Sequence, residues 1–289
     1  MNGLCRKKQR EAREKEKGLA FPHGGSGDNQ ASVSVQPNMH SLYQANKSTT
    51  KDNPQEVEQK PVVLNPVSPV MKEVVRLARN SGKEVLMERY QIKIRIRDLK
   101  TLEPEKWLNE EIINFYLNMI VERSHNQQLP TVYAFGTQFY IKLAEGGHGY
   151  VKRWTKKVDL FEKRLILVPI HLEDHWVLVS IDTEQKTENY HNSMGDEKKH
   201  GKLCLARIVD YIKEEHSNKK GVAIDTSIWK KTISEDIPQQ DNAYDCGLFI
   251  LKYAECVSRL ERMEFSQDDM DLYRERMTYK ILENIILSP

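Results

Sequence analysis

The chain has 289 residues, of which 30% are charged and 39% hydrophobic, and its formal net charge at pH 7 is +2. That size and apolar share suit one large domain, or one domain with a tail, with enough apolar content for a core. The small net charge gives no electrostatic footprint for nucleic acid, and no run of 18 apolar residues is present to span a membrane.

Residues 1–18 are basic, with seven Lys/Arg against three Glu, and lack the apolar centre of a secretory signal. Arg6-Lys7-Lys8 with Arg10 suits a nuclear import signal; a solvated basic tail fits the same residues. Residues 19–70 hold six of the eleven prolines, are rich in Gly, Ser, Asn and Gln, and show little apolar periodicity. Such a segment cannot offset its chain entropy by burial, so residues 1–70 are expected to form a disordered tail.

Order is expected from Met71, making 71–289 the folded domain. Val74, Val75, Leu77 and Ala78 have helical spacing, stopped by Asn80-Ser81-Gly82. Ile92, Ile94 and Ile96 alternate with Lys93, Arg95 and Arg97 as in a half-exposed strand. Pro104 sits where a helix can start, and Leu108, Ile112, Phe115, Tyr116 and Met119 then form one buried stripe, with Trp107 in the first turn. Residues 164–171, 176–182 and 187–192 read as three strands, and 202–215 and 267–287 as helices. Strands in the middle flanked by helices predict an α+β fold.

The four cysteines, Cys5, Cys204, Cys246 and Cys256, show no CxxC pairing and no histidine at zinc-ligand spacing, which fits free thiols in a reducing compartment. Cys204 and Cys256 lie in apolar helical stretches and read as core. Cys246 differs. It follows the polar run Ile237-Pro-Gln-Gln-Asp-Asn-Ala-Tyr-Asp245 and opens an apolar stretch with helical spacing. A thiol at a helix N-terminus faces aligned N–H dipoles, which favour the thiolate, the nucleophilic form of cysteine. Gln240 carries an amide able to donate to an oxyanion. His175-Trp176 heads an apolar run suited to a strand. Alone, a buried cysteine or a strand histidine is more often structural. Together these residues define a candidate Cys–His hydrolase.

The strings WLNEEIINFYLN (107–118), VKRWTKKVDLF (151–161), ILVPIHLEDHW (166–176), NSMG (192–195) and IPQQDNAYDCGLFILKYA (237–254) resemble the SUMO-specific (sentrin-specific) cysteine proteases. The resemblance runs in order from about residue 71 to 289. It implies a papain-like arrangement, with a helical lobe carrying Cys246 and a central sheet carrying His175. It further implies cleavage after the C-terminal Gly-Gly of SUMO, with SUMO and SUMO-conjugated proteins as partners. A monomer without metal or organic cofactor, in the nucleus and also the cytoplasm, completes that picture. Trp107 and Trp176 match the two indoles that cover a narrow tunnel for the Gly-Gly tail. Lys152, Arg153, Lys156 and Lys157 form an ordinary solvated face that, beside a docking surface, also steers an acidic modifier.

Two departures matter. The third catalytic position, seventeen residues after the histidine, is Asp in relatives and Asn192 here. With a hairpin turn centred between Thr183 and Glu184, His175 lies directly opposite Asn192, Cβ atoms about 5 Å apart. A neutral amide orients the imidazole but stabilises imidazolium poorly, and the same exchange in serine hydrolases costs about 10⁴ in turnover. Second, Ala243-Tyr244 replaces the usual Gly-Ser. If that glycine holds φ > 0, Ala243 is strained by about 1 kcal/mol. These departures leave open a rival reading, a SUMO-binding module without catalysis. The other eight histidines carry no assigned role.

Overall fold

A computed structural model describes residues 66–126, 129–195 and 198–286. The chain divides into two units, 1–61 and 62–289. The first, with the basic cluster, Cys5 and most of the expected tail, lies outside the described residues.

The first helix, α1 (Pro69–Arg79), begins where Ser68 accepts a hydrogen bond from the Met71 amide. Strands β1 (Val85–Arg89) and β2 (Ile92–Arg95) make an antiparallel hairpin. Its two-residue turn, Tyr90-Gln91, has positive φ at both positions, the hand that matches strand twist. The alternation reaching Ile96 does not continue the strand. The Asp98 carboxylate accepts from the Arg95 amide and starts the short helix α2 (Ile96–Leu99).

Nor does a helix start at Pro104. Helix α3 (Glu110–Asn126) starts after Asn109, whose side-chain oxygen takes the Ile112 N–H. An N-terminal cap of this kind satisfies a donor that the helix itself leaves open. Trp107 therefore lies in the connecting segment before α3, not in its first turn.

The remaining elements are β3 (Val132–Ala134), α4 (Gln138–Val151), β4 (Leu165–Leu172), β5 (His175–Asp182), β6 (Thr187–His191), α5 (Lys198–Lys220), β7 (Lys230–Ser234), α6 (Cys246–Arg259) and α7 (Met270–Glu283). A five-stranded sheet runs β3-β4-β5-β6-β7, antiparallel in its middle pairs and parallel at both edges. The edge strands β3 and β7 and helix α4 were not foreseen; β3 is only three residues long, and β7 reads Lys-Lys-Thr-Ile-Ser.

Strand β5 is buried along its whole length. Trp176 and Leu178 pack on one face with α3, α6 and α7, while Val177, Val179 and Ile181 pack on the other with α4 and α5. Helices on both faces of the sheet give the expected α+β architecture. A strand covered on both sides holds its end residues rigidly, and His175 is the first residue of β5.

The β5–β6 register differs from the expected one. Asp182 pairs with Thr187 and Leu178 with His191, so the turn is centred between Glu184 and Gln185. Asp182 causes this: its Oδ1 accepts from both the Glu184 and Gln185 amides and draws the turn one residue onward. His175 and Asn192 are thus offset along the ladder instead of directly opposed. A two-residue offset keeps both side chains on the same sheet face, because the side-chain period is two.

Candidate active site

The offset does not separate the pair. His175 Nε2 lies 2.7 Å from Asn192 Oδ1. A side-chain carbonyl only accepts, so Nε2 carries the proton and Nδ1 holds the lone pair. Nδ1 is buried with no hydrogen-bond partner among the described residues. Asn192 Oδ1 also accepts from the Met194 amide at 3.0 Å, which fixes the rotation of the amide plane. Burial lowers the His175 pKa below its ordinary value; the Asn192 bond and the nearby Asp174 carboxylate act in the opposite direction.

Cys246 is the first residue of α6 and is 1% exposed. Burial pushes its thiol up to about 11, against the pull of the Trp176 and Gly247 backbone N–H groups that donate toward sulfur. The dipole effect expected of a helix N-terminus is present in those donors, and desolvation outweighs it. The Trp176 N–H contact seats the sulfur against β5, one residue beyond His175. Gly247 permits this close seating, because a Cβ there would come within 2.9 Å of the Leu108 side chain.

The loop before Cys246 is built around Asn242. Its Oδ1 accepts from the Tyr244 and Asp245 amides, and its Nδ2 donates to Asp245 Oδ2 at 2.7 Å. Asp245 in turn meets Arg274 of α7, which is 1% exposed. The same guanidinium donates to the carbonyls of Thr101 and Glu103 at 3.1 and 2.9 Å, and to that of Lys106 at 2.8 Å. One side chain therefore joins the segment leading to Trp107 with the loop leading to Cys246. The strain expected at Ala243 is absent: Ala243 is not among the described residues with positive φ, and the turn is made by the Asn242 side chain.

Gln240 is held at three atoms. Its N–H donates to Ser193 O at 2.8 Å, its Oε1 accepts from Ser193 Oγ at 2.6 Å, and its Nε2 donates to Asn242 O at 2.7 Å. The Tyr253 hydroxyl of α6 donates to Pro238 O and anchors the same loop from below.

The two tryptophans are unlike. Trp107 is 45% exposed, whereas Trp176 is 3% exposed, lies in the core cluster with Cys246 and stacks on His171 with ring centroids 4.2 Å apart. Lys152, Arg153, Lys156 and Lys157 are all exposed. Cys204 and Cys256 are buried free thiols. Asp182, on the opposite face of β5, pairs with Arg164 and stays away from His175; Asp196 lies outside the described residues.

Sequence reasoning brought together Cys246, His175, Asn192 and Gln240, but missed Ser193, Asn242 and Arg274. The first two were visible in the NSMG and PQQDNAYDC strings. Arg274 left no local signal, since its partners are far away in sequence.

A buried thiol at a helix N-terminus, bonded to the backbone N–H of the residue after an imidazole that an amide oxygen orients, fits the arrangement of a papain-like cysteine peptidase. The comparisons narrow this. Residues 106–287 match the Ulp1 protease family, C-terminal catalytic domain, and the chain belongs to that family. Sentrin-specific protease 2 of Mus musculus is 42% identical over 206 residues, which is 71% of this chain and 34% of that protein. The sentrin-specific protease of Caenorhabditis elegans is 38% identical over 206 residues, 71% of this chain and 29% of that protein. The chain thus aligns with about a third of these relatives' length. Among solved structures, the C-terminal Ulp1 protease domain in complex with Smt3, the yeast ortholog of SUMO, superposes with a TM-score of 0.68 at 30% identity. That match covers 77% of this chain and 98% of the solved one.

Proposed function

We propose that the chain is a SUMO-directed thiol protease that cleaves after the C-terminal Gly-Gly of SUMO, both in precursors and at isopeptide bonds to target lysines. The observation that carries this is the His175 Nε2 to Asn192 Oδ1 bond. It leaves Nδ1 as a buried base with no hydrogen-bond partner among the described residues, on the residue next to Trp176, whose N–H receives Cys246.

The chemistry follows from the tautomer. His175 Nδ1 takes the Cys246 proton as sulfur attacks the carbonyl carbon of the terminal glycine. The oxyanion receives the second Nε2–H of Gln240 and the backbone N–H of Cys246, which as a first-turn amide has no intrahelical acceptor. Each such donor contributes about 3 kcal/mol in the transition state. Collapse of the intermediate breaks the C–N bond, and His175 returns its proton to the departing amine. Water, deprotonated by His175, then opens the thioester and frees the SUMO carboxylate and the thiol.

Trp107 and Trp176 form the cover over the Gly-Gly tail, where a Cβ would meet the rings. The exposed basic residues 152, 153, 156 and 157 face an acidic modifier. The protein acts as a monomer on SUMO and SUMO conjugates, without nucleic acid or membrane as partner. It works in the nucleus and also the cytoplasm, for which Arg6-Lys7-Lys8 is the supporting feature; imaging a tagged Arg6/Lys7/Lys8→Ala variant tests this. For the activity, SUMO bearing a C-terminal electrophile should add once, at Cys246, by mass measurement. An unmodified Cys246 together with retained SUMO affinity would replace the protease by a binding module.

A further inference from the structure

We propose that Ser193 is a positioning residue that holds the oxyanion-stabilising amide of Gln240 in register with the His175–Asn192 pair. The proposal rests on the protease reading and adds a residue that this reading does not use.

A glutamine amide has two ends of nearly the same shape. Only the Nε2 end assists an oxyanion; the Oε1 end repels it. The Asn242 carbonyl, which can only accept, determines which end is nitrogen and uses one of its two hydrogens. Ser193 then completes the lock. Its hydroxyl donates to Oε1 while its carbonyl accepts from the Gln240 backbone N–H. Two bonds from one residue fix both the main chain and the side chain of Gln240, and one Nε2–H remains to be directed.

Ser193 is fully buried and sits between Asn192 and Met194 in the turn after β6. The same turn folds back on itself, since Asn192 Oδ1 takes the Met194 amide. Gly195 closes it with φ +69°, and a Cβ there would come within 2.7 Å of Gln239 Oε1. The turn carrying the imidazole's partner and the loop carrying the oxyanion donor are thereby packed as one unit, with Ser193 as the polar joint. A misplacement of about 1 Å in such a constellation costs up to about 10²-fold in rate.

The test is a double-mutant cycle read in hydrolysis of a SUMO–fluorophore conjugate. Gln240→Ala should lower kcat by about 10²-fold, and Ser193→Ala by about tenfold, with KM within about twofold of wild type. In the Gln240→Ala background, Ser193→Ala should cost nothing more. Additive losses, or a loss confined to KM, would overturn the proposal. If Ser193→Ala does not fold, Ser193→Cys, near-isosteric and a weaker donor, takes its place in the cycle. A second readout is independent of turnover. The Gln240 side-chain amide resonances should shift, and their hydrogens exchange faster, when Ser193 loses its hydroxyl. If wild type leaves the conjugate uncut, the protease reading fails and this signal alone decides: a moved amide supports the Ser193 contact, and an unmoved one ends it.

Discussion

The amide oxygen of Asn192 stands 2.7 Å from His175 Nε2, where it orients the ring without adding charge. An aspartate there would stabilise imidazolium and draw the thiol proton across. Asn192→Asp should therefore raise kcat/KM by roughly tenfold, well short of the ~10⁴ known for serine enzymes because sulfur needs less help. No gain, with the fold intact, would show that the neutral acceptor is sufficient.

The thiol should titrate high. Burial raises the Cys246 thiol to about 11 and lowers the His175 pKa below its ordinary value. Because the raised pKa belongs to an acid that becomes reactive on losing its proton, iodoacetamide alkylation of Cys246 should keep rising above pH 9. Asn192→Asp should move that rise to lower pH. A wild-type rate already level near pH 5 would mean a resting thiolate–imidazolium pair and contradict the expectation.

The tryptophans should separate in a paired experiment. Trp107→Ala, at an exposed position, should slow turnover about tenfold through loss of tail alignment while stability stays within about 0.5 kcal/mol. Trp176→Ala should cost about 3–5 kcal/mol of stability as well, since it leaves a cavity in the core. Kinetics alongside chemical denaturation decide the matter. Equal stability losses in both variants would contradict it.

Arg274→Met should destabilise the protein by about 3–5 kcal/mol, because it leaves the Asp245 carboxylate buried without its counter-ion. Arg274→Lys should recover little, since an ammonium cannot span three carbonyls and a carboxylate. Urea unfolding of both variants checks this.

Glu188 supplies a pH test of stability. It is fully buried on β6, neither oxygen has a hydrogen-bond partner among the described residues, and burial raises it to about 7 despite Lys231 and Lys213. Below about pH 4.5 both folded and unfolded forms are protonated and no penalty exists. Between about 4.5 and 7 only the unfolded form ionises, so stability falls with rising pH, by roughly 3 kcal/mol in all. Glu188→Gln should remove that slope, raising Tm at pH 7.5 more than at pH 4. An equal shift at both pH values would refute it.

Much of this was legible from local pattern. The alternation and branched residues of 164–192 gave three adjacent strands, and the polar run before Cys246 gave the start of α6. What failed depended on single side chains acting at short range. Asp182 moved the hairpin turn, Asp98 ended β2, and Asn109 rather than Pro104 set the start of α3. The Ala243 strain was inferred from another residue's habit, and the Asn242 side chain removes it. Burial of the thiol was hidden because it depends on Leu108 and Trp176 packing from other elements.

Arg274 also bears on the order in which the molecule is completed. Synthesis proceeds from the N-terminus, and domains gain structure as they emerge. The Trp107 segment and the loop before Cys246 are both made before Arg274, the cation that joins them. Until α7 docks, Asp245 has no counter-charge and the carbonyls of Thr101, Glu103 and Lys106 have no common donor. In a newly made chain the loop before Cys246 is thus held by Ser193 and Tyr253 first, and it is joined to the Trp107 segment only late, when α7 docks.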